Sequence, residues 1–315
     1  MPTNSENNFA GIEVALDTMR GIVVNENGEI IDRRESSYEP EHLIKAIVEL
    51  TAGLRQTAEL KSVGLAIPGL VNRETDRVLI STGLPFTAQQ HIHAELMQAT
   101  GLRYELENDA NAAAYGEYKV GAGRGARDIF YLGIGDAIGG AMILNGKLWT
   151  GASGCAGEIG HITIDTEGIE CVCGNTGCLE TTCSGPNIVR RARERLNRDS
   201  TSSLSTLAMQ EDFTAGDLAI AANDGDDFSV MMLERTGRSL GIAVGSVINL
   251  LSLERIVLGG TIMEAGDLIL DPIIEEARKR SFQPCFEATK IVSAELGADG
   301  VAIGAALLAR DTTGE

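Results

Sequence analysis

The strongest constraint on the fold is the regular alternation of short apolar strands with helices along the whole chain. Strands are predicted at residues 11–16, 20–25, 29–33, 62–67, 103–107, 128–133, 141–144, 255–258 and 290–293. Helices are predicted at residues 42–54, 89–100, 110–117, 187–197, 227–251, 268–279 and 300–309, whereas residues 1–9 and 72–88 show no regular pattern. Each half begins with paired strands, which predicts two similar α/β lobes with a cleft between them.

Charge and composition argue against two classes of partner. The formal net charge is −19 and the sequence pI is about 4.6, and so acidic a surface repels nucleic acid and anionic membranes. The first residues, MPTNSENN, lack the apolar segment of a signal peptide, and no apolar run approaches the roughly 18 residues that cross a bilayer. We therefore expect a cytoplasmic protein that binds neither nucleic acid nor membrane.

A group of cysteines predicts a metal site. Cys171, Cys173 and Cys178 lie within the segment CVCGNTGC, and His161 precedes Cys171 by ten residues. Zn²⁺ prefers four tetrahedral thiolate and imidazole ligands, and these residues supply four. Because a site with four protein ligands has no open position for a substrate, the predicted zinc is structural. Free cysteines in a loop, or redox chemistry, are the alternatives.

Two polar residues follow the strand predicted at residues 103–107. Asn108 and Asp109 stand between a strand and a helix, where open α/β sheets place functional groups. A carboxylate there can act as a general base that accepts a proton from a bound group. The alternative is that Asp109 only caps the helix, which is a common role of Asp. Further along the chain, Glu158 and His161 are three residues apart and can point at one locus.

Two glycine-rich turns can bring backbone N–H groups close to a phosphate. The first contains Gly133, Gly135, Gly139 and Gly140, and the second is Gly259-Gly260. Ordinary hairpin and strand-to-helix turns have the same composition, so these glycines alone do not establish a nucleotide site.

Five segments together resemble the ROK family (repressors, uncharacterised reading frames and sugar kinases). They include ENDANAAAYGE at residues 107–117, GASGCAGEIGH at 151–161, CVCGNTGCLE at 171–180, and residues 116–140 and 249–260. The resemblance implies an α/β, actin-like ATPase (ribonuclease H-like) fold with two α/β lobes, a central cleft and a zinc-bearing loop. It also implies a homodimer. The small lobe would contain residues 1–109 and the C-terminal helix at about 300–315, and the larger lobe residues 110–299 with the zinc module at 161–180.

The resemblance also implies a function. The family's kinases transfer the γ-phosphoryl group of ATP, with Mg²⁺, to a hydroxyl group of a hexose or N-acetylhexosamine. By position, Asp109 matches the catalytic base, and the sugar-contacting positions are Gly69, Asn108, Asp109, Glu158, His161 and Glu180. The positions that match the nucleotide side are Glu13, Gly135, Asp136, Gly139, Gly140, Gly259 and Gly260. His161 would bind zinc through one ring nitrogen and a sugar hydroxyl through the other.

The chain departs from the family's pattern on the nucleotide side. The usual D-x-G-G-T motif retains an acid at Glu13, but Ala15 and Leu16 replace its glycines and Asp17 replaces its threonine. The lost glycines hinder close approach of the backbone to a phosphate, and an unpaired carboxylate repels a polyphosphate. In the second turn, Asp136 adds another acid.

These departures leave three functions open. A sugar kinase is the first, and a non-catalytic sugar-binding or sensing protein with degraded phosphate loops is the second. The third is a scaffold that binds neither ligand.

The N-x-x-W motif of the family reads GLPF at residues 83–86, which removes one sugar contact. The family's repressors carry an N-terminal helix-turn-helix domain, and the few residues before the first strand leave no room for one.

Overall fold

The computed structural model describes residues 7–73, 75–81, 83–84, 87–88, 90–196, 202, 204–210 and 213–313. The chain divides into two compact units. The first unit comprises Met1–Gly125, Ala141–Ala156 and Ala298–Glu315, and the second comprises Ala126–Gly140 and Gly157–Gly297. The C-terminal helix therefore belongs to the same unit as the N-terminal strands. Within the described residues, no helix has both the length and the apolar character needed to cross a membrane.

The N-terminal part of the chain forms a five-stranded sheet and its helices. The elements are β1 (Asn8–Val14), β2 (Thr18–Val24), β3 (Ile30–Ser37), α1 (Leu43–Leu54), β4 (Leu60–Ile67), β5 (Leu70–Asn72), β6 (Arg77–Ile80), α2 (Ile92–Thr100), β7 (Arg103–Asn108) and α3 (Asp109–Val120). The strand order is β3-β2-β1-β4-β7, with β1, β4 and β7 parallel. The carboxyl ends of these three strands therefore meet at one edge of the sheet.

The rest of the chain forms a second five-stranded sheet with a larger set of helices. Its elements are β8 (Ile129–Ile134), β9 (Ile138–Leu144), β10 (Lys147–Trp149), α4 (Glu180–Cys183), α5 (Gly185–Leu196), α6 (Leu204–Leu207), α7 (Ala215–Asn223), α8 (Asp227–Leu251), β11 (Arg255–Gly259), α9 (Asp267–Arg280), α10 (Gln283–Ala288), β12 (Lys290–Ser293) and α11 (Gly300–Thr313). The strand order is β10-β9-β8-β11-β12, and β8, β11 and β12 are parallel. The last helix, α11, packs in the first unit.

Helices cover both faces of the first sheet. On one face, a Cβ atom at Gly11 would lie 1.8 Å from the carbonyl oxygen of Ala302 in α11, and one at Gly64 would lie 1.9 Å from that of Ala305. Only glycine permits so close an approach of helix to strand. The opposite face is covered by α1, whose Leu50 and Leu54 contact Gly21. Apolar side chains fill the space between sheet and helices, and this burial stabilises the unit.

Most predicted elements are confirmed, but β10 and α10 were not predicted, and two further regions differ from the prediction. Residues 72–88 showed no strand pattern, yet β5 and β6 form a hairpin there, with Val71 paired to Val78 and Asn72 to Arg77. Strand β1 begins at Asn8, inside the segment expected to be a polar tail. The strands β5 and β6 are three and four residues long and depend on pairing rather than on local pattern, whereas β1 begins with a polar but buried residue, Asn8.

Candidate functional site

Asn108 and Asp109 lie at the carboxyl edge of the parallel strands, where β7 ends and α3 begins. Asn108 is the N-cap of α3, because its side-chain oxygen accepts a hydrogen bond of 3.0 Å from the backbone N–H of Asn111. The alternative that Asp109 caps the helix is therefore wrong. The Oδ1 atom of Asp109 accepts hydrogen bonds from Asn108 Nδ2 (2.9 Å) and from the backbone N–H of Ala110 (2.8 Å). The Asp109 carboxylate is thus held in place by its immediate neighbours.

The same amide of Asn108 reaches a third element. Asn108 Nδ2 also donates a hydrogen bond of 2.9 Å to the carbonyl oxygen of Gly69, which precedes β5. Gly69 has a φ of +127°, and a Cβ atom there would lie 2.3 Å from the carbonyl oxygen of Ile80. Only glycine fits this position. The structure therefore brings together Gly69, Asn108 and Asp109, three of the predicted sugar-side residues.

Three residues beside this group were not identified from the sequence. The Oε1 atom of Glu107 accepts hydrogen bonds from the backbone N–H of Asn108 (2.8 Å) and from Asn111 Nδ2 (2.9 Å). Its Oε2 atom lies 3.4 Å from Arg73 Nε. Glu107 is only 3% exposed, and burial raises its pKa, against the opposing effect of Arg73. Because Arg73 and Glu107 are far apart in the sequence, no local motif links them.

Glu13 lies near the end of β1, in the same unit as Asp109. Its cross-strand partner is Arg20, and Arg20 Nη1 lies 3.5 Å from Glu13 Oε2. Burial raises the pKa of Glu13 to about 7, Arg20 opposes this, and the carboxylates of Asp109 and Asp299 raise it further. These acids are therefore close enough to repel one another. A concave pocket of about 380 Å³ borders Glu13, Ala15, Thr18, Met19, Arg20, Glu35, Ser36 and Ser37.

The turn between β1 and β2 is short and closed by its own hydrogen bonds. Ala15 N–H donates to Thr18 O (2.9 Å), and Tyr38 donates its N–H to Asp17 O (2.9 Å) and its hydroxyl to Ala15 O (2.6 Å). Leu16 is 47% exposed. These contacts make the turn a compact hairpin without the two glycines of the family's phosphate loop. Pro85 and Phe86 of the GLPF segment lie outside the described residues.

The four predicted metal ligands converge in the second unit. The ligand atoms of His161, Cys171, Cys173 and Cys178 all lie within 4.8 Å of one another. Cys173 Sγ is 3.7 Å from Cys178 Sγ, and Cys171 Sγ is 3.6 Å from His161 Nδ1. A tetrahedral zinc with Zn–S bonds of about 2.3 Å and a Zn–N bond of about 2.0 Å has an S–S edge of about 3.8 Å and an S–N edge of about 3.5 Å. The four residues therefore fit a zinc ion.

The other ring nitrogen of His161 faces the predicted sugar-side acids. His161 Nε2 lies 3.9 Å from Glu158 Oε2. Burial raises the pKa of Glu158, His161 lowers it, and Glu180 raises it. Glu180, at the start of α4, accepts a hydrogen bond of 3.0 Å from the backbone N–H of Ile138. The second unit therefore brings Glu158, His161 and Glu180 together beside the cysteine cluster.

The two glycine-rich turns lie next to each other in the second unit. Gly260, which follows β11, has a φ of +107°, and a Cβ atom there would lie 2.0 Å from the carbonyl oxygen of Ile134 at the end of β8. Gly135 N–H donates to Ala137 O (3.0 Å), and Gly135 O accepts from Gly185 N–H (2.8 Å). Asp136 is exposed at the tip of this turn, Gly139 and Gly140 belong to β9, and Gly259 ends β11. Both turns thus lie at the carboxyl ends of parallel strands.

Comparison with known proteins identifies the family. A family model described as "ROK family" matches residues 9–312. The chain belongs to the ROK family. A glucokinase of Thermotoga maritima is 33% identical to this ROK protein over 310 residues, covering 96% of this chain and 98% of the relative.

Solved ROK structures share the fold of this chain. The crystal structure of a ROK glucokinase from Streptomyces griseus in complex with glucose and AMPPNP has a TM-score of 0.87 and 29% identity, and covers 97% of this chain and 100% of that chain. A ROK transcriptional regulator, a homologue of the Escherichia coli Mlc protein, also has a TM-score of 0.87, with 28% identity, 97% coverage of this chain and 78% of that chain. The predicted family and the predicted actin-like ATPase fold are confirmed.

Proposed function

We propose that this ROK protein is an ATP-dependent sugar kinase that phosphorylates a hydroxyl group of a hexose or N-acetylhexosamine. The observation that carries the proposal is the Asp109 carboxylate, held by Asn108 at the carboxyl edge of three parallel strands and joined through Asn108 to Gly69. The similarity to the Thermotoga maritima glucokinase, and to a ROK glucokinase solved with glucose and AMPPNP, supports it.

In this proposal Asp109 is the general base. Its carboxylate accepts the proton of the sugar hydroxyl while the hydroxyl oxygen forms a bond to the γ-phosphorus of ATP. The bond between the γ-phosphorus and the β–γ bridging oxygen breaks, and ADP leaves. The sugar would be bound by the remaining predicted contacts, Gly69, Asn108, Glu158, His161 and Glu180.

The nucleotide would bind through its phosphates to the two glycine-rich turns of the second unit. Backbone N–H groups around Gly135 and Gly260 would face its phosphates, with Asp136, Gly139, Gly140 and Gly259 beside them. Glu13 offers the carboxylate oxygen that suits Mg²⁺, although Arg20 already pairs with it. When bound, Mg²⁺ neutralises charge that develops on the transferred phosphoryl group.

We further propose that zinc occupies the cluster of His161, Cys171, Cys173 and Cys178. All four ligands come from the protein, so the ion would hold the loop rather than bind substrate. The proposed protein is a cytoplasmic homodimer that binds neither nucleic acid nor membrane.

A non-catalytic sugar sensor is the second candidate function. Asp17 and Asp136, both exposed acids in the two predicted phosphate turns, favour it. Such a protein would bind sugar without binding ATP. The similarity to a ROK transcriptional regulator is compatible with this function.

Replacement of Asp109 separates the two functions. Asp109→Asn removes the base but keeps the hydrogen-bond geometry, so we expect kcat to fall by about 10²–10⁴-fold with sugar affinity largely retained. ADP release with ATP–Mg²⁺ measures kcat, and calorimetry with glucose measures the sugar affinity. Asp271→Asn, an exposed substitution on α9, is the control. A kcat for Asp109→Asn equal to that of the wild type, or sugar binding with no ATP binding, would refute the kinase.

A further inference from the structure

Glu107 is a nearly fully buried carboxylate directly before the two residues proposed to act on the sugar. Its side chain is 4% exposed, whereas that of Arg73 is 35% exposed. Within the described residues Glu107 Oε2 accepts no hydrogen bond, and its nearest cation is Arg73 Nε at 3.4 Å. A buried carboxylate is costly unless it is paired. This arrangement therefore depends on Arg73.

The Arg73–Glu107 contact also fastens one end of β5. Gly69 precedes β5, and its carbonyl oxygen accepts a hydrogen bond from Asn108 Nδ2 (2.9 Å). Arg73 follows β5 and pairs with Glu107. The short strand Leu70–Asn72 is thus attached at both ends to the carboxyl end of β7. Loss of either attachment would free one end of the segment that presents Gly69.

Glu107 also orients Asn108 directly. Its Oε1 atom accepts from the backbone N–H of Asn108 and from Asn111 Nδ2. The backbone N–H of Asn111 in turn donates to the side chain of Asn108, which donates to Asp109. A continuous set of hydrogen bonds therefore runs from Glu107 to the carboxylate of Asp109.

We propose that Arg73 and Glu107 are positioning residues, which hold Gly69, Asn108 and Asp109 in the geometry that the sugar and its reacting hydroxyl require. This inference rests on the proposed function. Neither residue need touch the sugar. A misplacement of about 1 Å at such a site can lower the rate by about a hundredfold, so a contact that fixes one end of β5 can matter for the reaction.

Substitution of Arg73 tests the proposal. We expect Arg73→Met to lower kcat with ATP and the best sugar by about tenfold or more, and to raise the sugar KM, because the unpaired Glu107 no longer holds its neighbours. The double variant Arg73→Met/Glu107→Gln should recover most of the loss, since the new amide oxygen can still accept from Asn108 and Asn111 and leaves no buried charge. Arg103→Met is the matched control, because Arg103 pairs with Glu105 on the same strand at 2.6 Å.

Two results would overturn the proposal. One is a kcat and sugar KM of folded Arg73→Met equal to those of Arg103→Met. The other is a double variant no better than Arg73→Met alone, because the loss would then not come from the unpaired Glu107 carboxylate. If Arg73→Met does not fold, the kcat and sugar KM of Arg73→Lys are compared with those of Arg103→Lys, and equal values overturn the proposal.

The proposed function and the positioning role can fail separately. If the wild-type protein phosphorylates none of glucose, mannose and N-acetylglucosamine, the kinase proposal fails. The positioning role is then decided by calorimetric affinity for the same sugars. An affinity weakened in Arg73→Met and restored in the double variant supports it, whereas an unchanged affinity, or no sugar binding by the wild type, overturns it.

Discussion

His161 shows how one side chain can serve two neighbouring sites. Its Nδ1 atom lies 3.6 Å from Cys171 Sγ, and its Nε2 atom lies 3.9 Å from Glu158 Oε2. A metal bound at Nδ1 fixes the ring and leaves Nε2 protonated and able to donate. The proposed zinc therefore orients a proposed sugar contact without touching the sugar.

Loss of one thiolate tests this link between metal and sugar. We expect Cys178→Ser to lower zinc content from about one ion per chain to well below one, and to weaken sugar affinity by about tenfold or more because the His161 ring loses its anchor. Zinc is measured by atomic absorption and affinity by calorimetry. Cys285→Ser, which changes a half-buried cysteine outside the cluster, should alter neither. A Cys178→Ser variant with full zinc content or unchanged sugar affinity contradicts the link.

The residues of the site differ in how far the sequence could predict them. The proposed zinc ligands span only residues 161–178, so their spacing alone indicates one site. Arg73 and Glu107 were missed because their contact joins distant parts of the chain. Asn108 was assigned to the sugar, but its additional role as the N-cap of α3 became evident only from its hydrogen bond to Asn111.

Helices α3 and α11 pack against each other in the first unit, and a polar group joins them near their C-terminal ends. Asp311 Oδ2 accepts a hydrogen bond of 2.6 Å from the Tyr115 hydroxyl and lies 2.8 Å from Lys119 Nζ. Burial raises the pKa of Asp311, but hydrogen bonds from Arg310, Lys119 and Tyr115 outweigh it and lower the pKa to about 2. This contact helps to hold α3, whose first residue is Asp109.

The lowered pKa of Asp311 predicts a pH-dependent contribution to stability. The folded pKa lies below the unfolded value of about 3.9, so the stabilisation is present at neutral pH and is lost as the pH falls from about 4 through 2. After allowance for solvent screening, Asp311→Asn should lower the free energy of unfolding by about 1 kcal/mol at pH 7. Urea unfolding of the wild type, Asp311→Asn and the control Asp271→Asn between pH 7 and pH 2 measures this difference in the free energy of unfolding. A difference that does not shrink below pH 4 would contradict the assignment.

We expect the β1–β2 turn to be the element that most limits catalytic competence. Its backbone is closed by Tyr38 and its tip carries Asp17. The combined change Ala15→Gly, Leu16→Gly and Asp17→Thr removes an anion and restores close backbone approach. We expect it to raise ATP affinity or turnover by about tenfold, as measured by calorimetry and ADP release. Asp17→Asn alone removes the charge without changing the backbone. No gain from the triple change would mean that the turn does not limit ATP binding or turnover.

At the scale of elements, regular patterns were predicted and context-dependent pairings were not. The 25-residue helix α8 was predicted with its bounds, because its periodicity is long and Asp226 caps it through the backbone N–H of Ser229. The hairpin β5–β6 was not, because its strands are three and four residues long. Arg73 follows β5 directly, so the missed positioning residue lies beside the missed element.

At the scale of the whole molecule, the chain has the fold of the ROK family and an uneven set of site residues. Gly69, Asn108 and Asp109 are brought together in the first unit, and Glu158, His161 and Glu180 in the second. The two predicted phosphate turns carry the exposed acids Asp17 and Asp136. The alternation of strands and helices predicted the α/β class, whereas the strand order β3-β2-β1-β4-β7 could not be read from it because pairing is set by non-local packing.

Product analysis decides whether this ROK protein is a sugar kinase. The wild-type protein is incubated with ATP–Mg²⁺ and, in turn, glucose, mannose, N-acetylglucosamine and N-acetylmannosamine, and phosphorus NMR measures ADP and sugar phosphate together. A sugar kinase gives equal amounts of the two products with at least one sugar, and Asp109→Asn gives neither above background. Sugar binding without any sugar phosphate, in a preparation with full zinc content, would contradict the kinase and favour the sensor.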